Sequence, residues 1–85
     1  MEARSRFHGD LQALRGRVVA MAALARSMLT DGVASLVALD TAKAQTVLAR
    51  KDDLAAMDDE IEEEALLLVA RQQPMARDMR EIAAA

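Results

Sequence analysis

The chain has no cysteine, no tryptophan and no tyrosine, one phenylalanine (Phe7), one proline (Pro74) and three glycines. Without cysteine there is neither a disulfide framework nor a thiolate metal site, and a reducing, cytoplasmic setting is expected. A single phenylalanine makes no platform for stacking successive bases. With a formal net charge of −3 there is also no excess of cations for a phosphate backbone, so nucleic acid is not an expected partner. The longest apolar run, Val18 to Ala25, has eight residues, against about 20 for a membrane crossing. No cleavable leader pattern follows Arg4 and Arg6. A soluble protein with no transmembrane segment is the expectation.

What is present is alanine, leucine, methionine, arginine and glutamate, residues that favour helix by intrinsic propensity. Eighty-five residues make one domain at most. A spacing of four and three runs through Phe7, Leu11, Leu14, Val18, Met21, Ala25, Met28, Gly32, Ser35 and Leu39. It predicts a first helix over about 3–39 with its seam on one side. Leu24, Leu29, Val33, Leu36 and Val37 widen the apolar face beyond what one neighbouring helix covers. Gly16 and Gly32 fall inside this helix, where close packing or simple tolerance accounts for them. Asp40 is placed to cap a second helix over about 41–72, since its carboxylate can accept from free amides of the next turn. Val47, Leu54, Ile61 and Leu68 form that helix's seven-residue seam, with Ala44, Met57 and Ala65 beside it. Lys51 and Asp58 lie on the same stripe, either at its margin or facing a polar site on a third helix. Pro74 is expected to stop the second helix and to open a third, because proline suits a first helical position and not an interior one.

Charge fixes how the two arms run. Arg4, Arg6, Arg15, Arg17 and Arg26 dominate the first thirty residues, whereas Asp52 to Glu64 holds eight acids and no base. A hairpin turning at residue 40 sets position n opposite roughly 80 minus n, because both arms rise equally per residue. Arg15 and Arg17 are then expected near Glu62 to Glu64, and Arg26 near Asp52 and Asp53. A parallel arrangement would separate these partners. The fold class predicted is all-α: an antiparallel helical hairpin with a truncated third helix, completed by self-association of two copies into a helical bundle.

Little in the sequence suggests catalysis. Ser5, Ser27, Ser35 and the threonines have no base placed beside them, and His8 has no second histidine to join it. Arg15-Gly16-Arg17 lies within a helix and makes no phosphate loop. Met21, Met28 and Met57 fall at core spacing and read as packing. Asp58 and Glu62, four residues apart on one helix face, are weak metal candidates, because a single helix supplies too few oxygens for a cation cage. A solvated acidic face is the expected reading, with no metal and no cofactor.

The pattern resembles the PhoU family, bacterial phosphate-signalling regulators built from two three-helix repeats. Phe7-His8 with Leu11 and Leu14, then Met21-Ala22 with Leu24, is similar to the opening of the family's first helix. Asp40 with Lys43-Ala44 and Val47 matches its first turn. Ile61-Glu62 with Ala65-Leu66, then Ala70-Arg71-Gln72-Gln73-Pro74 and Asp78-Met79-Arg80 with Ile82, match its longest signature. Gln73, Pro74, Asp78 and Arg80 are the signature residues this resemblance singles out. It implies a single domain over 1–85 comprising helices one and two of the first repeat and the start of helix three at 74. It implies a non-enzymatic adaptor in phosphate uptake and starvation signalling, with a phosphate ABC transporter ATPase and a sensor histidine kinase as partners. The alternative is a structural, oligomerising hairpin with no phosphate role, or a small metal-binding helical protein. The family's iron- or zinc-holding acidic pair would fall at 51 and 55, where this chain has Lys51 and Ala55.

Overall fold

The structure is a computed structural model that describes the backbone of residues 2–84 and the side chains of residues 4–71. Among the described residues every element is helical: α1 (Glu2–Ala38), α2 (Thr41–Ala49) and α3 (Lys51–Ala84). α1 is one arm; α2 and α3 together are the other, bent at Arg50 and packed antiparallel along the first. The result is a rod of 66 × 22 × 17 Å. The all-α hairpin class expected from the sequence is what is observed.

The turn is built from backbone chemistry. Asp40 N–H donates to the Ser35 carbonyl (2.9 Å) and Leu39 N–H to the Leu36 carbonyl (3.3 Å). These paired bonds close α1 in a Schellman motif. The motif needs a residue in the left-handed region, and Leu39 occupies it at φ 52°. Glycine usually stands there, because a side chain costs about 1–2 kcal/mol in that conformation. Asp40 then caps α2 as expected, its Oδ1 accepting from the Lys43 amide at 3.0 Å. Leu39 is 82% exposed and loses no packing when shortened. Leu39→Gly is therefore expected to stabilise the hairpin by about 0.5–1 kcal/mol after the entropy cost of glycine. Thermal melting checks this; a lowered midpoint would show that the exposed leucine holds something in place.

Two helix boundaries differ from expectation. The second arm is interrupted at Arg50, whose amide bonds to the Val47 carbonyl at 3.1 Å in a single tightened step before Leu54 N–H resumes the ladder to Arg50 (3.0 Å). No glycine or proline announces this step, and the seven-residue seam passes through it unchanged. The second difference is at Pro74: α3 continues to Ala84, and no separate third helix begins at 74. Proline removes one amide donor and crowds the carbonyl one turn back, which weakens a helix without obliging it to end. Its neighbours Arg71, Gln72, Gln73, Met75 and Ala76 all favour helix.

The seam itself is close to the expected one. Phe7, Leu11, Leu14, Met21, Ala25, Met28 and Gly32 are half-buried on α1, facing Ala44, Val47, Leu54, Met57, Ile61 and Ala65. Val18 and Leu39 were expected in the seam and are exposed instead. At Val18 the cause is angular: half-buried Arg17, one residue earlier, is turned toward the second arm and Val18 away from it. Leu39 has left the helix for the turn. The buried centre is small, with Leu68 at 7% exposure and Ser35 at 6%. Ser35 satisfies its hydroxyl by donating to the Gly32 carbonyl at 2.7 Å. Gly16 has open space where a Cβ would stand, so tolerance explains it; at Gly32 that Cβ would meet Val47 in ordinary contact.

Candidate interaction face

The two long sides of the hairpin differ in chemistry. On one, every ion pair among the described residues ties the arms together. The Arg17 guanidinium reaches Glu60 (2.6 Å) and Glu64 (2.7 Å), two carboxylates one turn apart on α3. Arg50 donates to Asp31 Oδ2 (2.7 Å) and to Ser27 Oγ (3.1 Å). Arg71 lies 3.6 Å from Asp10. All of these pairs obey the register expected for a turn at residue 40. Each exposed pair contributes only about 0–1 kcal/mol, so their role is to hold register and not to supply stability.

Two of the expected charge contacts are absent among the described residues. Arg15 and Arg26 make no ion pair, although Arg26 was expected near Asp52 and Asp53. The helical wheel gives the reason: Arg26 sits close to half a turn away from the side that holds Arg17 and Asp31. The Arg50 clamp takes the place expected for Arg26. Arg50 itself was not singled out in the sequence, yet its register partner, Asp31, is an acid of opposite sign, and that signal could have found it.

The other long side is uncovered, and its α1 half is apolar. On α1 it carries Val18, Leu29, Val33 and Leu36, exposed by 43, 69, 53 and 72%. On the facing arm the same side carries Leu66 and Val69 and, nearer the turn, the exposed Lys51, Asp58 and Glu62. At the turn it runs into a shallow groove lined by Gly32, Ser35, Leu36, Leu39 and Ala44. Leu29, Val33 and Leu36 repeat every three to four residues beside the seam, so near the turn the apolar face is wider than one neighbouring helix covers. A row of exposed aliphatic side chains on one helix is a candidate docking place. By length and composition α1 also passes for a membrane span over Arg4–Ala38. Arg15, Arg17, Arg26 and Asp31 lie along that stretch, and each would be costly at mid-membrane depth. A stripe on one side of the rod fits a docking face better than a lipid-facing cylinder.

Lys51 and Asp58, the charged residues on the second arm's stripe, are both exposed and sit at its margin. Asp58, Asp59 and Glu62 bring their carboxylates together, with one oxygen from each lying within 4.8 Å of the others. All three are exposed and belong to little more than one turn of one helix. No ligand from a second element joins them among the described residues, and Lys51 and Ala55 stand where the family pair would. The donor set does not fit a metal cluster. The signature residues Gln73, Pro74, Asp78 and Arg80 lie outside the residues whose side chains are described.

Comparison with known proteins adds the family. The PhoU domain model matches residues 18–85. The phosphate-specific transport system accessory protein PhoU homolog of Rhizobium meliloti is 40% identical over 78 residues, covering 92% of this chain and 33% of the relative. The protein of the same description from Pseudomonas aeruginosa is 34% identical, over 87% of this chain and 31% of its own length. PhoU homolog 1 of Mycobacterium tuberculosis is 33% identical, over 93% and 36%. The chain thus spans about a third of the length of these relatives. No solved structure matches it.

Proposed function

The chain belongs to the PhoU family, and from that premise we propose that it is a non-enzymatic accessory of phosphate uptake that works by helix-surface contacts at the cytoplasmic side. The observation that carries this reading is the division of the rod into a side closed by ion pairs and a side on which α1 leaves Val18, Leu29, Val33 and Leu36 exposed. A surface of that kind recognises another helical surface and does no chemistry of its own. The relatives' description as accessory proteins of a phosphate-specific transport system supplies the context. The transporter's ATPase subunit and a sensor histidine kinase are the proposed partners, met through the helix that carries Gln73, Pro74, Asp78 and Arg80.

The apolar side is proposed to be covered by a second copy. Two hairpins facing each other make a four-helix bundle with shallow crossing angles, which buries both wide faces at once. The test takes the purified chain with the immobilised ATPase subunit and, separately, the kinase sensor domain. Capture by either is expected, falling at least about tenfold (near 1.4 kcal/mol) for Pro74→Ala or Arg80→Ala. Failure to bind both overturns the phosphate reading and leaves an oligomerising hairpin, whose self-association sedimentation measures separately.

A further inference from the structure

We propose that the outward side of α1 rests on an anionic lipid surface, the rod lying flat with its acidic arm turned away. The inference goes beyond the adaptor reading and needs neither a protein partner nor a second copy. Arg4, Arg15, Val19, Ala22, Arg26 and Val37 fall on one stripe of α1, about 100–160° round the axis from the seam. All six are exposed, Val19 by 67% and Val37 by 81%. The three arginines stand at 4, 15 and 26, which puts three turns, about 17 Å, between neighbours. Arg15 and Arg26 make no ion pair among the described residues. No carboxylate joins the stripe. Between Arg4 and Ala38 the acids are Asp10 and Asp31, and both meet cations of the other arm, Arg71 and Arg50.

Charge selects the occupant. From Arg4 to Ala38 five arginines stand against two acids, whereas from Thr41 to Arg71 four bases stand against eight acids. A plane of negative headgroups attracts the first arm and repels the second, which sets the rod down on α1. Arginines this far apart cannot converge on one acidic pocket of a folded partner, but each can reach its own headgroup on an extended plane. The aliphatic side chains between them form no hydrogen bonds and suit the boundary between headgroups and acyl chains. The arginine stems lie along that boundary with their guanidinium ends in water. The same arginines that make a crossing costly are favourable at this depth. Nucleic acid carries charge of the same sign, yet the eight acids of the second arm and the want of a stacking platform disfavour it.

The chain has no tryptophan, so one introduced ring reports its own surroundings. Val19→Trp on the stripe and Ala56→Trp on the acidic arm, both at exposed positions, are titrated with vesicles. One set holds equal parts of phosphatidylcholine and phosphatidylglycerol, the other phosphatidylcholine alone. A blue-shifted emission is expected for Val19→Trp with the anionic vesicles only, and no shift for Ala56→Trp. Cosedimentation of the unaltered chain with anionic vesicles is expected to weaken between about 0.1 and 0.5 M salt. Arg15→Gln with Arg26→Gln is expected to lower that affinity about thirtyfold, two charges being lost from the surface. Lys43→Gln with Lys51→Gln removes the same charge from the second arm and is expected to change it by less than about threefold. All four side chains are exposed and outside the ion pairs among the described residues, so circular dichroism should show unchanged helices. No binding to anionic vesicles, equal binding to neutral ones, or equal loss in the two double variants overturns the proposal. The transporter and kinase reading is tested separately and does not fall with it.

Discussion

Leu68→Ala is expected to destabilise the hairpin by about 2–4 kcal/mol, the usual cost of emptying a buried leucine site. Leu68 is the one apolar residue among those described that is buried, at 7% exposure. It closes the seven-residue seam of the second arm and lines a recess with Ala13 and Leu14 of α1. Elsewhere the seam is half-buried, so little other packing offsets the loss. Small domains have only a few kcal/mol in hand, and a change of this size is expected to lower helicity at room temperature as well as the melting midpoint. Leu66→Ala is the control: Leu66 lies on the same helix, two residues away, and is exposed within one hairpin, so at a dilution that keeps the chain single its truncation should cost within about 0.5 kcal/mol. Circular dichroism melts of both variants check the contrast. Equal effects would mean that the observed packing is not what holds the arms together.

The second large effect is expected on association. Leu29→Lys with Val33→Lys places two charges in the middle of the open apolar side, one and two turns before the hairpin's end. If a second copy covers that side, each wild-type residue contributes about 1.5–3 kcal/mol of burial to the dimer. Removing both corresponds to at least a hundredfold weaker association, every 1.4 kcal/mol being about tenfold. Both side chains are exposed within one hairpin, so helicity per chain at high dilution should hold. Sedimentation velocity across a concentration series measures the shift. An unchanged dimer would show that the copies meet through another surface.

The seam, the turn and the antiparallel sense were legible because each depends on local chemistry or on a period. Val47, Leu54, Ile61 and Leu68 announce their stripe by spacing alone. Asp40 announces a cap by its carboxylate and by the apolar period that restarts after it. The charge blocks announce the register, and Arg17 meets Glu64 where the register puts it. Leu39 gave no such warning. A left-handed leucine is intrinsically unfavourable, and only the closing bonds to Ser35 and Leu36 hold it there. At Pro74 the local rule predicted a stop and the helix continued, because propensity on both sides outweighed one lost amide.

The amino-acid order by itself determined that this chain is helical, where it turns, which residues form its seam and which way its arms run. Those properties follow from period, propensity and the sign of charge. Only the tertiary structure decided which charges pair and which are left over. Spacing along one helix does not say how far round the axis a partner sits: Arg17 and Asp31 face the opposing arm, whereas Arg15 and Arg26 do not. That rotation closes one side of the rod with ion pairs and leaves Val18, Leu29, Val33 and Leu36 exposed on the other.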